Sequence, residues 1–392
     1  MYLAEYQAKE LLTQYGVRTP KGALARSGAE AEERAASLGC EKFAVKAQIH
    51  AGGRGLAGGV KLAASPRAAR DLAEAMLGRT LVTAQTGPAG ETVDRVYVEA
   101  ATDTSTAIYL ALVINESDAR PLLIASRDSG VAFEEAAQTR PDTVRTLALP
   151  RNGDLSDIDL PAFFSEIGLA GPATESVAAV ATALMRAAFE TDALLIEINP
   201  LAIDAESQAV AVDAKIVIDG AALYRHPEFE SYVQEQPRDA QEQTARDNEI
   251  NFVKLDGDIG VVVNGAGLGL ATNDLLIEHG GQPANFMDIR TTASSFQIAK
   301  GVQILLDDPA VKVLLVNVHG GGMTVCDTIA EGVAFAYSKA ARKPPIVFRA
   351  AGQNASWALT IMKDRRLPFE ACDTISDAAA RAVAIGGKGG AR

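Results

Sequence analysis

Aromatic residues, cysteines, long apolar runs and an excess of base are all scarce in this chain. Only 5% of its 392 residues are aromatic, with one tryptophan, so its cores must come from the Ala, Val, Leu and Ile within its 48% apolar content. Cys40, Cys326 and Cys372 are odd in number and widely spaced. That excludes a disulfide frame or a thiolate cage and points to reduced thiols in a cytoplasmic protein. No run reaches the ~18 apolar residues of a membrane span. The N-terminus, Met1-Tyr2-Leu3-Ala4-Glu5-Tyr6, lacks the basic and apolar regions of a secretory signal. A formal charge of −13 argues against nucleic acid or an anionic membrane as partner, while leaving room for a local basic phosphate site. The length suggests two or three domains of roughly 100–200 residues each.

One stretch organises the chain, Leu194-Leu195-Ile196-Glu197-Ile198-Asn199-Pro200-Leu201, followed by Val210-Ala211-Val212-Asp213-Ala214-Lys215. The first run is apolar and β-branched, which predicts a buried strand. Glu197 and Asn199, two apart, share one face of it. Pro200 cannot donate to a ladder, so the strand is expected to end near it. A short connection from Ile203 to Gln208 leads to a second strand carrying Asp213. Paired as a hairpin, the two strands set Asn199 beside Asp213, a hard-oxygen site suited to Mg²⁺ shared with phosphate. The plainer alternative is three polar residues on a half-exposed hairpin. Burying three such groups without partners would be costly.

Upstream, Glu5 to Tyr15 has helical spacing and stops at Gly16, and Ala29 to Leu38 reads as a second helix. Phe43 to Ile49 alternates as a strand and carries Lys46. Then come five glycines in His50-Ala51-Gly52-Gly53-Arg54-Gly55-Leu56-Ala57-Gly58-Gly59, with Lys61 opening the next strand. Such a loop can turn its N–H groups toward phosphate oxygens. It is neither a P-loop nor a dinucleotide fingerprint, and a flexible surface hairpin is the alternative. Val96 to Ala100 is a strand bearing Glu99, a natural partner for an adenine amine or ribose hydroxyls. Tyr109–Asn115 and Pro121–Ser126 form a β-meander. Helices follow near Asp157–Ile167 and Thr174–Glu190.

An acidic, Gln-rich linker, roughly Glu228 to Asn248, precedes a change to alternating strands and helices. Ile259–Val263, Val311–Asn317 and Pro345–Arg349 read as parallel strands of a doubly wound domain. His319-Gly320-Gly321-Gly322-Met323-Thr324 lies between a strand and the helix Cys326–Lys339. A glycine-rich turn at a helix N-terminus is an anion site in waiting.

Several long segments carry a resemblance. They are Glu5-Tyr6-Gln7-Ala8-Lys9, Val45 to Gly55, Val98-Glu99-Ala100-Ala101-Thr102-Asp103, Leu195 to Leu201, Val263 to Leu268 and Gly281 to Phe286. Nearly end to end, the chain resembles the β subunits of succinyl-CoA synthetases (succinate–CoA ligases), of the ATP-grasp superfamily. The resemblance implies an α/β fold: an α+β ATP-grasp domain over residues 1–238, with two subdomains around the nucleotide and metal, then a doubly wound flavodoxin-like CoA-ligase domain over 246–392. It implies that Lys46, Gly53, Arg54, Gly55, Glu99 and Thr102 bind ATP or GTP. Asn199 and Asp213 would ligate Mg²⁺. Glu197 would act catalytically, steadying a phosphohistidine of an α subunit that also holds CoA. Asn264, Gly320, Gly321 and Gly322 would touch the small carboxylic acid. The implied reaction phosphorylates that histidine from ATP, passes the phosphate to the acid, and lets the CoA thiol displace it.

The departures from the family pattern bear on the substrate. Ala107 stands where the family has a glutamate, and Leu56 where it has a lysine. Asp288-Ile289-Arg290-Thr291-Thr292-Ala293 replaces a triple-glycine turn, His319 enters a loop that lacks the usual arginine, and Arg349-Ala350-Ala351-Gly352-Gln353-Asn354 is altered. Arg290 and Thr291 could grip an anionic or oxygen-rich head group. The acid is therefore expected to be succinate or a related one, with malate, another dicarboxylate or a sulfonated acid such as sulfoacetate as alternatives, and drift at a subunit contact as the plain explanation. A nucleotide-binding regulatory subunit without turnover is a further alternative, opposed by the retained Lys46, Glu197, Asn199 and Asp213. His319 is expected to cap or pack, His50 to belong to the loop, and His226 and His279 to be peripheral.

Overall fold

The computed structural model describes residues 1–88, 90–234, 239–323 and 325–386 and divides the chain into two units, Met1–Pro237 and Arg238–Arg392. Thr324 of the glycine turn, residues 235–238 of the expected linker and the end of the second expected domain lie outside the described residues.

The first unit opens with α1 (Glu5–Gln14), β1 (Gly22–Ala25), α2 (Gly28–Leu38), β2 (Phe43–Ala47), β3 (Val60–Ala63), α3 (Pro66–Met76), β4 (Thr80–Leu81), β5 (Glu91–Thr92) and β6 (Val96–Ala100). A four-stranded sheet in the order β1-β6-β2-β3 packs its Val- and Ala-rich face on α2 and α3. Ser27 and Ser65 start those two helices by accepting the N–H groups of Glu30 and Ala68, the capping expected of serine.

The unit continues with β7 (Ala107–Asn115), β8 (Arg120–Ser126), α4 (Val131–Thr139), β9 (Val144–Ala148), α5 (Leu160–Ser165), α6 (Pro172–Thr191), β10 (Ala193–Ile203), β11 (Ala209–Ala211), β12 (Ala214–Ile218) and α7 (Glu230–Gln234). These strands make the second sheet, β11-β10-β7-β8-β9, with β12 also on β10. The 20-residue α6 buries Val177, Ala181, Leu184 and Ala188 against it, the helical spacing of an apolar stripe.

Two expectations are corrected here. Strand β10 does not end at Pro200. It runs on to Ile203, because Leu201 pairs with both Ile108 and Ala211. The missing proline N–H falls at a register shift between Ile198 and Leu201, where the Asn199–Pro200 peptide is cis. Asp213 is not on a strand either. It occupies the break between β11 and β12, which pair with the two halves of β10.

The second unit comprises α8 (Ala240–Asp247), β13 (Asn251–Lys254), β14 (Ile259–Val263), α9 (Ala266–Glu278), β15 (Asn285–Asp288), α10 (Ser295–Asp307), β16 (Val313–Gly320), α11 (Cys326–Lys339), β17 (Ile346–Gly352), α12 (Ala355–Asp364), β18 (Phe369–Ala371) and α13 (Ile375–Gly386). The sheet order is β13-β15-β14-β16-β17-β18, parallel except for β13. Runs such as Ile259–Val263 are buried throughout, as a strand covered on both faces must be. Helices α10, α11 and α12 cover one face and α9 and α13 the other. The stretch expected to be a linker is helical at both ends, in α7 and α8, and Asp239 caps α8 through the N–H groups of Gln241 and Glu242.

Candidate active site

Sequence places Glu5 and Lys9 one turn apart on α1, and the fold then buries both of them with Tyr6, Gln7, Ala8, Leu11 and Leu12. Charges taken out of water need partners. Lys46, 3% exposed on the fully buried β2, supplies one. Its Nζ lies 2.8 Å from Glu5 Oε1 and 2.7 Å from Glu99 Oε1, and it donates to the Val212 carbonyl at 2.7 Å. Lys9 pairs with Glu5 at 2.8 Å and more closely with Glu99. Arg54 completes the cluster, with Nη1 2.7 Å from Glu5 Oε2 and Nη2 donating to both Asp213 carboxylate oxygens at 2.9 and 3.0 Å. Three cations thus face three carboxylates.

The mutual fields set the protonation states. Burial works against charge on Lys46, but Glu5, Glu99 and Asp213 hold it above the usual lysine value. Burial likewise opposes Arg54, which Asp213 and Glu5 hold up. Burial would raise Glu5, yet Lys46, Lys9 and Arg54 keep its carboxyl well below the ordinary range. At Glu99 burial dominates the pull of the two lysines, and its carboxyl is raised.

Glu5, Arg54 and Asp213 join this cluster to a cavity of about 240 Å³, whose walls also include Gly53, Gly55, Glu197 and Asn199. The hairpin brings Asn199 and Asp213 side by side through the backbone. Asn199 donates its backbone N–H to the Asp213 carbonyl at 3.2 Å. The Asn199 side chain bonds Gly130 at both ends, Oδ1 accepting the Gly130 N–H and Nδ2 donating to its carbonyl at 3.2 Å. Burial pushes the Glu197 carboxyl up, opposed by Lys215 across the strand pair and aided by Asp213 and Glu134.

The glycine loop joins β2 to β3 as a hairpin and folds back on itself: Gly59 donates to the Arg54 carbonyl at 2.8 Å and Ala57 to that of Gly53 at 3.3 Å. A positive φ of 77° at Gly53 makes glycine the residue for that turn. The N–H groups of Gly53, Arg54 and Gly55 have no acceptor among the described residues. Consecutive N–H groups of this kind form an anion nest. His50 is fixed by Glu91, which accepts from both its backbone N–H and its ring nitrogen Nδ1. The opposite ring nitrogen, Nε2, is buried and has no partner among the described residues.

Of the residues expected to bind nucleotide, Gly53, Arg54 and Gly55 line the cavity, whereas Lys46 and Glu99 lie behind it and Thr102 stands apart in the loop after β6. Glu99 has lysines where an adenine or ribose partner was expected. Ala107 opens β7 with only a methyl group. Reading the sequence missed Glu5, Lys9, Gln85, Gly130, Glu134 and Lys215. Glu5 and Lys9 are four apart with opposite charge, which by itself reads as an ordinary surface ion pair of a helix. Gln85 accepts both the Gly52 N–H at 2.9 Å and the Lys215 ammonium at 3.0 Å. No sequence signal marks that bridge.

In the second unit the strand order reverses between β14 and β16, and a crevice beyond the carboxyl ends is the usual ligand position there. Asn264 sits at that point and makes two bonds to His319, donating to its carbonyl at 2.7 Å and accepting its N–H at 2.8 Å. His319 is therefore on β16 and not at the base of a loop. Gly320 must be glycine, since a Cβ would lie 2.1 Å from the Gln353 carbonyl. Gly321, Gly322, Arg290 and Thr291 are exposed along the same edge. The N-terminus of α11 is partly satisfied already: the Cys326 N–H donates to the Gln353 carbonyl at 3.2 Å. Arg349, also missed, reaches Asn317 at 3.3 Å, and Asn317 donates to Thr272 at 2.8 Å.

The ATP-grasp domain family model matches residues 2–203, and the CoA-ligase family model matches residues 262–383. The chain is 41% identical over 387 residues to a succinate–CoA ligase [ADP-forming] subunit beta of Myxococcus xanthus, covering 98% of this chain and 99% of that one. The chain belongs to the succinate–CoA ligase β-subunit family. A member from Anaeromyxobacter dehalogenans is 42% identical over 384 residues, with 98% of each chain covered. The fold also matches ATP citrate lyase from Methanothrix soehngenii in complex with citrate and coenzyme A, with a TM-score of 0.75 at 19% identity over 98% of this chain and 99% of that one. Among the described residues no helix is long and apolar enough to cross a membrane.

Proposed function

We propose that this chain is the nucleotide-binding β subunit of an ADP-forming acid–CoA ligase, using ATP or GTP with Mg²⁺ and a small carboxylic acid such as succinate. The observation that carries this reading is the meeting of Glu197, Asn199, Asp213 and the Gly53–Gly55 turn in one cavity. The terminal phosphoryl group goes to a histidine of a partner α subunit and then to the acid carboxylate. The CoA thiol attacks the acyl phosphate and inorganic phosphate leaves.

The chain's own groups suit that sequence. The open N–H groups of Gly53, Arg54 and Gly55 receive phosphate oxygens. Glu197, its carboxyl raised by burial, accepts from the N–H of an incoming imidazole and orients it. Lys46 and Glu99 set the charge of the cleft from behind. Asn199 and Asp213 fit Mg²⁺, since two hard oxygens leave the other positions to phosphate and water. The guanidinium now on Asp213 marks the place as one for positive charge. When bound, the ion would neutralise charge on the phosphate oxygens.

The test is the Glu197→Gln variant of the full chain with its partner. Nucleotide binding persists and phosphorylation of the partner's histidine fails. Transfer at the rate of the unaltered protein would refute the role, and acyl-CoA synthesis by this chain alone would refute the division of labour.

Arg290 favours a second reading of the substrate. It is exposed at the carboxyl edge without a carboxylate partner among the described residues. An acid with a further anionic oxygen, such as malate or a sulfonated acid like sulfoacetate, gives it one, and Asn264, Gly320, Gly321, Gly322 and Thr291 form the rest of that edge. A panel of acids in the coupled assay decides, and clear preference for succinate removes this reading.

A further inference from the structure

The face of the second unit built by α10, α11 and the end of α12 carries a groove of about 630 Å³ that the reaction above does not use. Its lining includes three aromatic residues, Phe296, Phe335 and Tyr337. Phe296 is 59% exposed and Phe335 44%, in a chain with few aromatic residues to expose. A lysine ammonium stands over each of three rings: Lys300 at 5.4 Å from Phe296, Lys339 at 4.2 Å from Phe335 and Lys343 at 6.0 Å from Tyr337. Arg365 and Arg366 are part of the lining, Arg366 in the left-handed region at φ 56°.

None of these five cations has a carboxylate partner among the described residues. Rings hold the ammonium groups in place, and rings do not cancel their charge. Three of the five, Lys343, Arg365 and Arg366, line the groove itself and Lys300 and Lys339 flank its rings, so the surface is positive on a chain of net charge −13. Exposed apolar patches rimmed by charge mark binding sites. The volume lies within the roughly 300–1,000 Å³ of small-ligand pockets. One acidic group, Glu331, joins the lining. A carboxylate amid cations suits a ligand with both anionic oxygens and an N–H donor.

We propose that this groove binds the adenosine diphosphate group, with the purine on the exposed rings of Phe296 and Phe335, its exocyclic amine on Glu331, and the diphosphate on Lys343, Arg365 and Arg366. That group has two sources, a free adenine nucleotide or the nucleotide end of CoA. The site is separate from the cleft of the first unit and does not rest on the function assigned to it.

Photolabelling of the full chain with 8-azido-ADP, followed by peptide mapping, reads the two sites independently. Peptides containing Phe296 or the Phe335–Lys343 segment should be labelled, in addition to peptides of the cleft. The double variant Phe335→Ser, Arg366→Glu should lower groove labelling about tenfold or more and leave cleft labelling intact, which also shows that the variant folds. Competition by ADP at lower concentration than CoA assigns the free nucleotide, and the reverse order assigns CoA. Both support the site. Unlabelled groove peptides overturn the proposal, as does labelling that survives the double variant. Competition by inorganic pyrophosphate or an acidic peptide as effective as by ADP also overturns it, because the surface would then read charge alone.

Discussion

The cleft of the first unit and the carboxyl edge of the second handle polarity in opposite ways. The cleft is backed by full charges, Glu5, Lys9, Lys46, Arg54, Glu99 and Asp213, which pair with one another. The edge relies on neutral groups: amide side chains, backbone N–H groups and glycines that let β16 and β17 approach closely. A buried ionic cluster costs much to assemble and more to break, because each removal strands an opposite charge. A neutral network loses only a hydrogen bond or two when one member goes. The two regions should therefore fail differently.

The largest effect belongs to Asp213→Asn. It should lower nucleotide-dependent turnover about a hundredfold while leaving the KM for the acid unchanged, as steady-state kinetics of the complex with its partner will show. A parallel rise in acid KM would erase the contrast. Next comes Glu5→Gln, which leaves Lys9, Lys46 and Arg54 short of a counter-charge. Denaturant unfolding should show a loss of about 3–5 kcal/mol, against about 1 kcal/mol for Thr272→Val in the neutral network.

Asn264→Ala should raise the acid KM about tenfold, the scale of a lost pair of hydrogen bonds, with nucleotide KM unaffected. The smallest effect is a pH dependence outside both regions. His226 contacts Asp192 at 2.6 Å and Glu228 at 3.0 Å, and its pKa is raised, chiefly by the Asp192 hydrogen bond against a small burial effect. A raised folded pKa gives stability fully present below the unfolded value of ~6.5 and lost as pH rises through the folded one. Melting curves from pH 6 to 9 should decline by about 2 °C through this group, and His226→Gln should flatten that decline.

Much of the scaffold was legible. The apolar runs at Ile196 and Ile259, the helical stripe of α6 and the glycine punctuation at Gly16 and Gly53 each follow from local periodicity and backbone freedom. The pairing of Asn199 with Asp213 was legible too, since a hairpin with a short connection leaves few registers. The continuation of β10 past Pro200 was not, because long-range pairing of Leu201 with Ile108 and Ala211 overrides the local signal. Nor was the cluster behind the cleft. Lys46 and Glu99 read as ligand-binding groups because strand carboxylates and lysines usually face something. Only the burial of α1, a tertiary fact, reveals that Glu5 and Lys9 lie against them. His226 read as peripheral because nothing local indicates that Asp192, 34 residues earlier, lies against it.

The two bonds between Asn264 and His319 carry a last implication. A carboxamide there imitates one more peptide group, so β14 gains a rung that its own backbone does not provide. How deep the crevice lies is thus fixed by the reach of a single side chain. Glutamine, longer by one methylene, would shallow it, and aspartate would drop the strut on one side. Tuning the enzyme toward bulkier or slimmer acids could then begin at one codon.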